Sequence, residues 1–130
     1  MNQILIPISP GELLDKITIL EIKSERIESV EKKSNVKEEL ALLKRAWKES
    51  ELEDSDLIAL RYQLKSINKV LWDIEDNIRK EERNNFFGDR FIELARSVYM
   101  KNDERAKLKK RINTYLNSEI VEEKSYQNYS

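Results

Sequence analysis

Any chemistry in this chain falls to carboxylates, guanidiniums, amines and phenols, because its 130 residues contain no His and no Cys. That excludes disulfides, zinc held by imidazole or thiolate, haem on a His or Cys axial ligand, and any imidazole or thiol triad. Only Gly11, Gly88, Pro7 and Pro10 punctuate the chain, so a glycine-rich phosphate loop is also absent. Asn68, Trp72, Glu75, Arg79 and Glu82 recur every three or four residues, with Asp76 adjoining. Glu75 and Asp76 have the chemistry of an acid/base pair, or of oxygen ligands to Mg²⁺, the only metal this set suits. Arg79, Arg96, Arg105 and Lys109 suit a phosphate or carboxylate, since a guanidinium offers a two-pronged donor. The paired Glu-x-x-Glu and Glu-x-x-Asp motifs of helical nucleotide pyrophosphohydrolases are not evident, so binding ranks above catalysis and enzymatic activity stays open.

These residues need helices to position them. Residues 3–8 are a short apolar run that Pro7 prevents from continuing as a ladder strand, and they read as an extended arm over 1–9. Ser9, Pro10 and Glu12 form a helix start with a capping box. The first helix is expected over about 10–31 and the second over about 36–50, separated by Ser34-Asn35, with Asn35 and Glu38 as another capping box. Asp54 or Ser55 caps the third helix. Its seam, Leu57, Leu60, Leu64, Ile67, Leu71, Ile74 and Ile78, is spaced 3-4-3-4-3-4. No Gly or Pro interrupts residues 12–87, so that helix can run to about residue 84, roughly 45 Å. Asn84 to Asp89 breaks it, a fourth helix follows over about 90–116, and 117–130 form a docked tail. The expected fold is all-α: one antiparallel helical bundle (10–116) with a long hairpin of helices three and four.

The seam of the fourth helix is broken. Phe91, Leu94 and Val98 begin it and Leu108, Ile112 and Tyr115 resume it, but Lys101, Asn102 and Arg105 fall between. With the turn near residue 86, equal rise per residue places Asn102 and Arg105 level with Asn68 to Trp72, and Arg96 level with Glu75 and Asp76. Glu21 of the first helix points toward the same layer. One reading is a structural network: Glu75–Arg79, Asp76–Arg79 and Arg79–Glu82 are helix-surface pairs, and Arg96 and Arg105 neutralise carboxylates. The other is a pocket for a small anionic, phosphate-bearing ligand such as a sugar phosphate or nucleotide.

The blocks Ile6 to Leu20, Asn68 to Arg79, Phe91 to Asn113 and Glu122 to Tyr126 resemble an uncharacterised bacterial family, domain of unknown function 6165, over nearly the whole chain. Leu71-Trp72-x-x-Glu75-Asp76-x-x-Arg79 is also similar to a second uncharacterised helical family. The resemblance implies a link to surface-polysaccharide biosynthesis but no reaction. Its blocks add Tyr99, Asp103, Lys124 and Tyr126 to the candidate ligand site, and imply that the tail folds back over the polar layer. Asn117 departs from the Gly expected there.

Lys and Arg number 24 and Asp and Glu 25, a net charge of −1, which excludes a chain that is basic all over. Residues 101–111 carry six basic and two acidic side chains, but without aromatic interleaving beyond Tyr99 they read as a solvated face rather than a nucleic-acid footprint. Trp47 and Trp72 read as core or interface fillers. The first residues lack a signal peptide's pattern and no run is long enough to span a membrane, so a cytoplasmic location is expected. The heptad seam supports an alternative function, a helical module that dimerises or docks a partner protein.

Overall fold

The computed structural model describes residues 2–129; Met1 of the arm and Ser130 of the tail lie outside the described residues. Four helices follow in order: α1 Pro10–Arg26, α2 Val30–Ser50, α3 Leu57–Arg83 and α4 Asp89–Tyr115, with no strand among the described residues. The chain is thus an all-α antiparallel helical bundle. α1 is central and packs on α2, α3 and α4, while the backbone of α2 approaches α1 alone.

Ser9 caps α1 by accepting the Glu12 N–H at 3.2 Å, with Pro10 at the first helical position. The reciprocal half of the expected capping box does not form, because the Glu12 side chain turns to Lys109 and Lys16. The expected break at Ser34-Asn35 is also corrected. α1 ends at Arg26, Ile27 is extended, and Ser29 caps α2 through the Lys32 N–H at 3.3 Å. α2 therefore runs straight through Asn35, a residue that a helix surface tolerates once an earlier cap has satisfied the first turn. At the start of α3, Asp56 holds the cap position without a side-chain cap bond. The Asp54 carboxylate instead accepts the Asp56 N–H at 2.8 Å.

Both long helices end in the same way. Asn85 adopts φ 57°, and the N–H groups of Phe86 and Asn85 bond the carbonyls of Glu81 and Glu82. Asn117 adopts φ 53°, with Ser118 and Asn117 bonded to Asn113 and Thr114. These are Schellman closures, and asparagine is the residue after glycine that best accepts their left-handed position. That accounts for Asn117 where the resemblance implies Gly.

The core lies at one end of the hairpin. Leu13, Leu14, Ile17, Trp47, Leu57, Leu64, Ile67 and Ile112 form one buried cluster. From residue 69 to residue 111 no side chain is fully buried, so Leu71, Ile74 and Ile78 carry the seam on in a half-buried state. α1 ends against this transition, where Arg26 bonds Asp73 at 2.7 Å and lies over the Trp72 ring.

Candidate functional site

α1 carries a polar stripe through its apolar surface. Gly11, Asp15 and Thr18 repeat at helical spacing, the apolar Ile22 continues the row, and all are buried. Asp15 is 1% exposed and sits where α1, α3 and α4 meet. Arg105 grips it from α4 with two prongs, Nε to Oδ1 at 2.9 Å and Nη2 to Oδ2. Asn68 donates from α3 to Asp15 Oδ1 at 2.9 Å and to Thr18 Oγ1 at 3.0 Å. Asn102 accepts from Arg105 Nη1 at 3.3 Å. Hydrogen bonding to Asp15 raises the Arg105 pKa against the opposing effect of burial, so this cation stays charged. Among the described residues no buried side-chain nitrogen or oxygen lacks a partner.

One turn along α4, Lys109 lies between Glu12 at 2.5 Å and Glu122 of the tail at 3.1 Å. Burial disfavours the Lys109 charge, but the bonds from Glu12 and Glu122 outweigh it and hold its pKa above the usual lysine value. Burial likewise pushes Glu12 up, and its bond to Lys109, with the Lys109 and Lys16 charges and the neighbouring Glu122, brings the net pKa below the ordinary value. Asn113 Oδ1 accepts the Gly11 N–H at 2.7 Å, so α4 satisfies the first turn of α1. A Cβ at Gly11 would lie 2.5 Å from the Lys109 carbonyl oxygen, which is why this close approach needs glycine.

Asn68, Asn102 and Arg105 therefore stand at one level, as the hairpin spacing requires. Two open grooves share Asn102 and Arg105 as their common wall. The first, about 500 Å³ between α1, α3 and α4, also takes in Asn68, Trp72, Glu75, Asp76 and Arg79. The second, about 730 Å³ between α4 and the tail, is lined by Tyr99, Asp103, Lys109, Lys124 and Tyr126. The tail runs back along α4, pairing Glu123 with Lys110 at 3.4 Å and Lys124 with Asp103 at 3.2 Å. Tyr129 packs edge-on against Tyr99 at 5.2 Å, and Lys124 lies 5.2 Å over the Tyr126 ring.

The two grooves differ in what their charges are already doing. In the tail groove Arg105, Lys109, Lys124, Asp103 and Glu122 are all paired within the chain. In the first groove Glu75, Asp76 and Arg79 are exposed, and none forms an ion pair among the described residues. The expected Glu75–Arg79, Asp76–Arg79 and Arg79–Glu82 ladder is therefore not made. Arg96 is exposed and lines neither groove. Equal rise fixes its level but not its direction around the helix, and it lies about half a turn of the helical wheel away from Val98 and Arg105. Glu21 is half-buried but pairs with Lys44 of α2 at 3.8 Å instead of joining the hairpin layer. Among the described residues no three acidic side chains gather as a metal cluster.

Sequence reasoning missed Asp15, Thr18 and Asn113 as the residues that tie the three helices together. A signal was available: Gly11, Asp15 and Thr18 share the spacing of a core stripe, and polar residues on such a stripe call for partners from the facing helices.

The chain belongs to a family of unknown function, DUF6165, whose model matches residues 4–129. No curated protein and no solved structure matches it. No helix among the described residues is long and apolar enough to cross a membrane.

Proposed function

Taking that membership as the premise, we propose that this helical protein binds a small anionic, phosphate-bearing molecule, a sugar phosphate or nucleotide, in the groove between α1, α3 and α4. The observation that carries the reading is the free charge of the groove. Arg79, Glu75 and Asp76 line it with no partner of their own among the described residues, beside a Trp72 ring and above the closed Asp15–Arg105 pair. Arg79 is the phosphate donor, because a guanidinium not already bonded inside the chain keeps its full two-pronged capacity. Trp72 offers an apolar wall, Asn102 an amide, and Glu75 and Asp76 take ligand hydroxyls or a Mg²⁺ ion carried in with the phosphate. Arg105 acts through Asp15 as part of the floor. The reading is of binding first; a link to surface-polysaccharide biosynthesis is part of the proposal and rests on the family resemblance.

Thermal-shift measurements on the full chain with inorganic phosphate, hexose phosphates and nucleoside diphosphates, each with and without Mg²⁺, test this. A ligand at 100 times its Kd stabilises by about 2.7 kcal/mol. Arg79→Ala should weaken binding by about 10- to 100-fold, the worth of a charge-assisted hydrogen bond, while leaving the unliganded fold intact. No response across the panel, or a response indifferent to Arg79→Ala, would refute the assignment.

A further inference from the structure

The groove between α4 and the tail has a different chemistry from the one between α1, α3 and α4. Val98 and Ala106 of α4 line it, and three tyrosine rings converge on it, Tyr99 from α4 and Tyr126 and Tyr129 from the tail. A single exposed aromatic is ordinary, but these three, 42%, 79% and 55% exposed, share one groove of about 730 Å³. Pockets that hold small molecules span about 300–1,000 Å³. The charges along this groove are committed: Arg105 to Asp15, Lys109 to Glu12 and Glu122, and Lys124 to Asp103. An anion would have to break one of these pairs and leave a carboxylate without its cation. A neutral guest breaks none.

We infer that this groove is a second site and that it takes the base of a neutral nucleoside. A nucleobase has two flat faces for tyrosine and a rim of donors and acceptors for side-chain amides, which Asn102 and Gln127 supply here. Lys124 lies 5.2 Å over one face of Tyr126, which leaves the opposite face for stacking. A hexose fits less well, because it sets hydroxyls against Val98, Ala106 and the rings, where they lose water without gaining partners. The tail supplies a second argument. Residues 119–129 are all exposed, and the ties that hold them along α4 include the surface pairs Glu123–Lys110 and Lys124–Asp103 and the edge-on contact of Tyr129 with Tyr99. Surface ion pairs contribute little against the entropy of ordering an extended segment. A flat ring held between Tyr126 and α4 adds apolar burial to a strap that is exposed along its length. This site stands whether or not the other groove binds phosphate.

Equilibrium dialysis of the full chain against adenosine, guanosine, cytidine and uridine, with methyl glucoside as the control, tests the assignment. At least one nucleoside should bind, excess inorganic phosphate should not displace it, and the Trp72 indole NMR signal should stay in place. Tyr126→Ala should weaken that binding by roughly 5- to 150-fold, the worth of one base–aromatic stack, and Tyr126→Phe should retain it. Tyr126 is exposed, and circular dichroism on each variant verifies that the helices persist. Saturating nucleoside should also slow tryptic cleavage after Lys124 of the strap. No binding of any of the four nucleosides would overturn the proposal, as would cleavage at an unchanged rate under saturation. Binding that moves Trp72 and ignores Tyr126→Ala places the base in the other groove and overturns it. Displacement by inorganic phosphate means an anion site, and equal binding of methyl glucoside with the same dependence on Tyr126 means a sugar site; either result overturns it as well.

Discussion

The covered and uncovered halves of the α3–α4 hairpin are built on one heptad seam yet have opposite character. Under α1, Leu57, Leu64, Ile67 and Ile112 are buried, and every polar group that enters the layer is bonded: Asp15 to Arg105 and Asn68, Asn113 to Gly11. Past Trp72, where α1 stops, the same seam is only half-buried, and Glu75, Asp76 and Arg79 stand in solvent without ion pairs among the described residues. The seam specifies a helix pair, whereas a third helix decides whether polar neighbours become structure or stay available. A buried charge must be paired at once; an exposed one can wait for a ligand.

The largest expected effect breaks the covered half. Arg105→Ala leaves the buried Asp15 carboxyl group without its ion-pair partner and should cost about 3–5 kcal/mol in urea denaturation. Asp15→Leu combined with Arg105→Met should recover most of that loss, since a well-packed apolar pair replaces a buried ion pair at little net cost. A double variant as unstable as Arg105→Ala would mean that the pair contributes more than charge balance.

Next comes a direct contrast along the seam. Leu64→Ala, at a site with no exposure, should destabilise by about 3 kcal/mol, and Leu71→Ala by about 1 kcal/mol, because less area leaves water there and solvent fills the gap. Equal losses in denaturation would erase the distinction between the halves.

A smaller effect sits at the α1–α4 ion pair. The Glu12 pKa is lowered in the folded chain, so its contribution is in place above the ordinary value of 4.5 and is lost as pH falls through the folded value. The Lys109 pKa is raised, so its contribution is in place below 10.5 and is lost only as pH rises through its folded value. Wild type should exceed Glu12→Gln by about 1 kcal/mol at pH 7, a modest figure because Glu12 is partly exposed. That advantage should fade in melts taken below pH 4.5. The smallest effect is at the end of α4, where Asn117→Gly relieves a left-handed residue and should add a few tenths of a kcal/mol to the melting free energy.

Much of this architecture was legible in the residues. The 3-4 seam set the extent of α3, Asn84 to Asp89 set the turn, and Ser9-Pro10 set the start of α1, all to within a residue or two. The α1–α2 break was not, because Asn35 and Glu38 have the pattern of a cap while Ser29, which does the capping, is followed by Lys32 and lacks the acidic partner that advertises a cap. In the site, depth along the hairpin was readable from rise alone, which is why Asn68 and Arg105 meet. Direction around each helix was not, and Arg96 shows the consequence. Asp15 was left out of the site although its spacing with Gly11 and Thr18 marks a core stripe, because the partners that bind it stand more than fifty residues away.

In the proposed function the free charges beyond the end of α1 serve a phosphate-bearing ligand while the covered half stays closed. The chain carries two natural reporters: the indole N–H of Trp47, buried and bonded to Glu53 at 3.0 Å, and that of Trp72, which lines the groove together with Arg79. In a two-dimensional nitrogen–proton NMR titration of the full chain with nucleoside diphosphates and hexose phosphates, the Trp72 indole signal should shift saturably with at least one ligand. The Trp47 signal should hold still. A Trp72 signal unmoved by every ligand, or Trp47 and Trp72 moving together, would rule out this division between a closed half and a binding half.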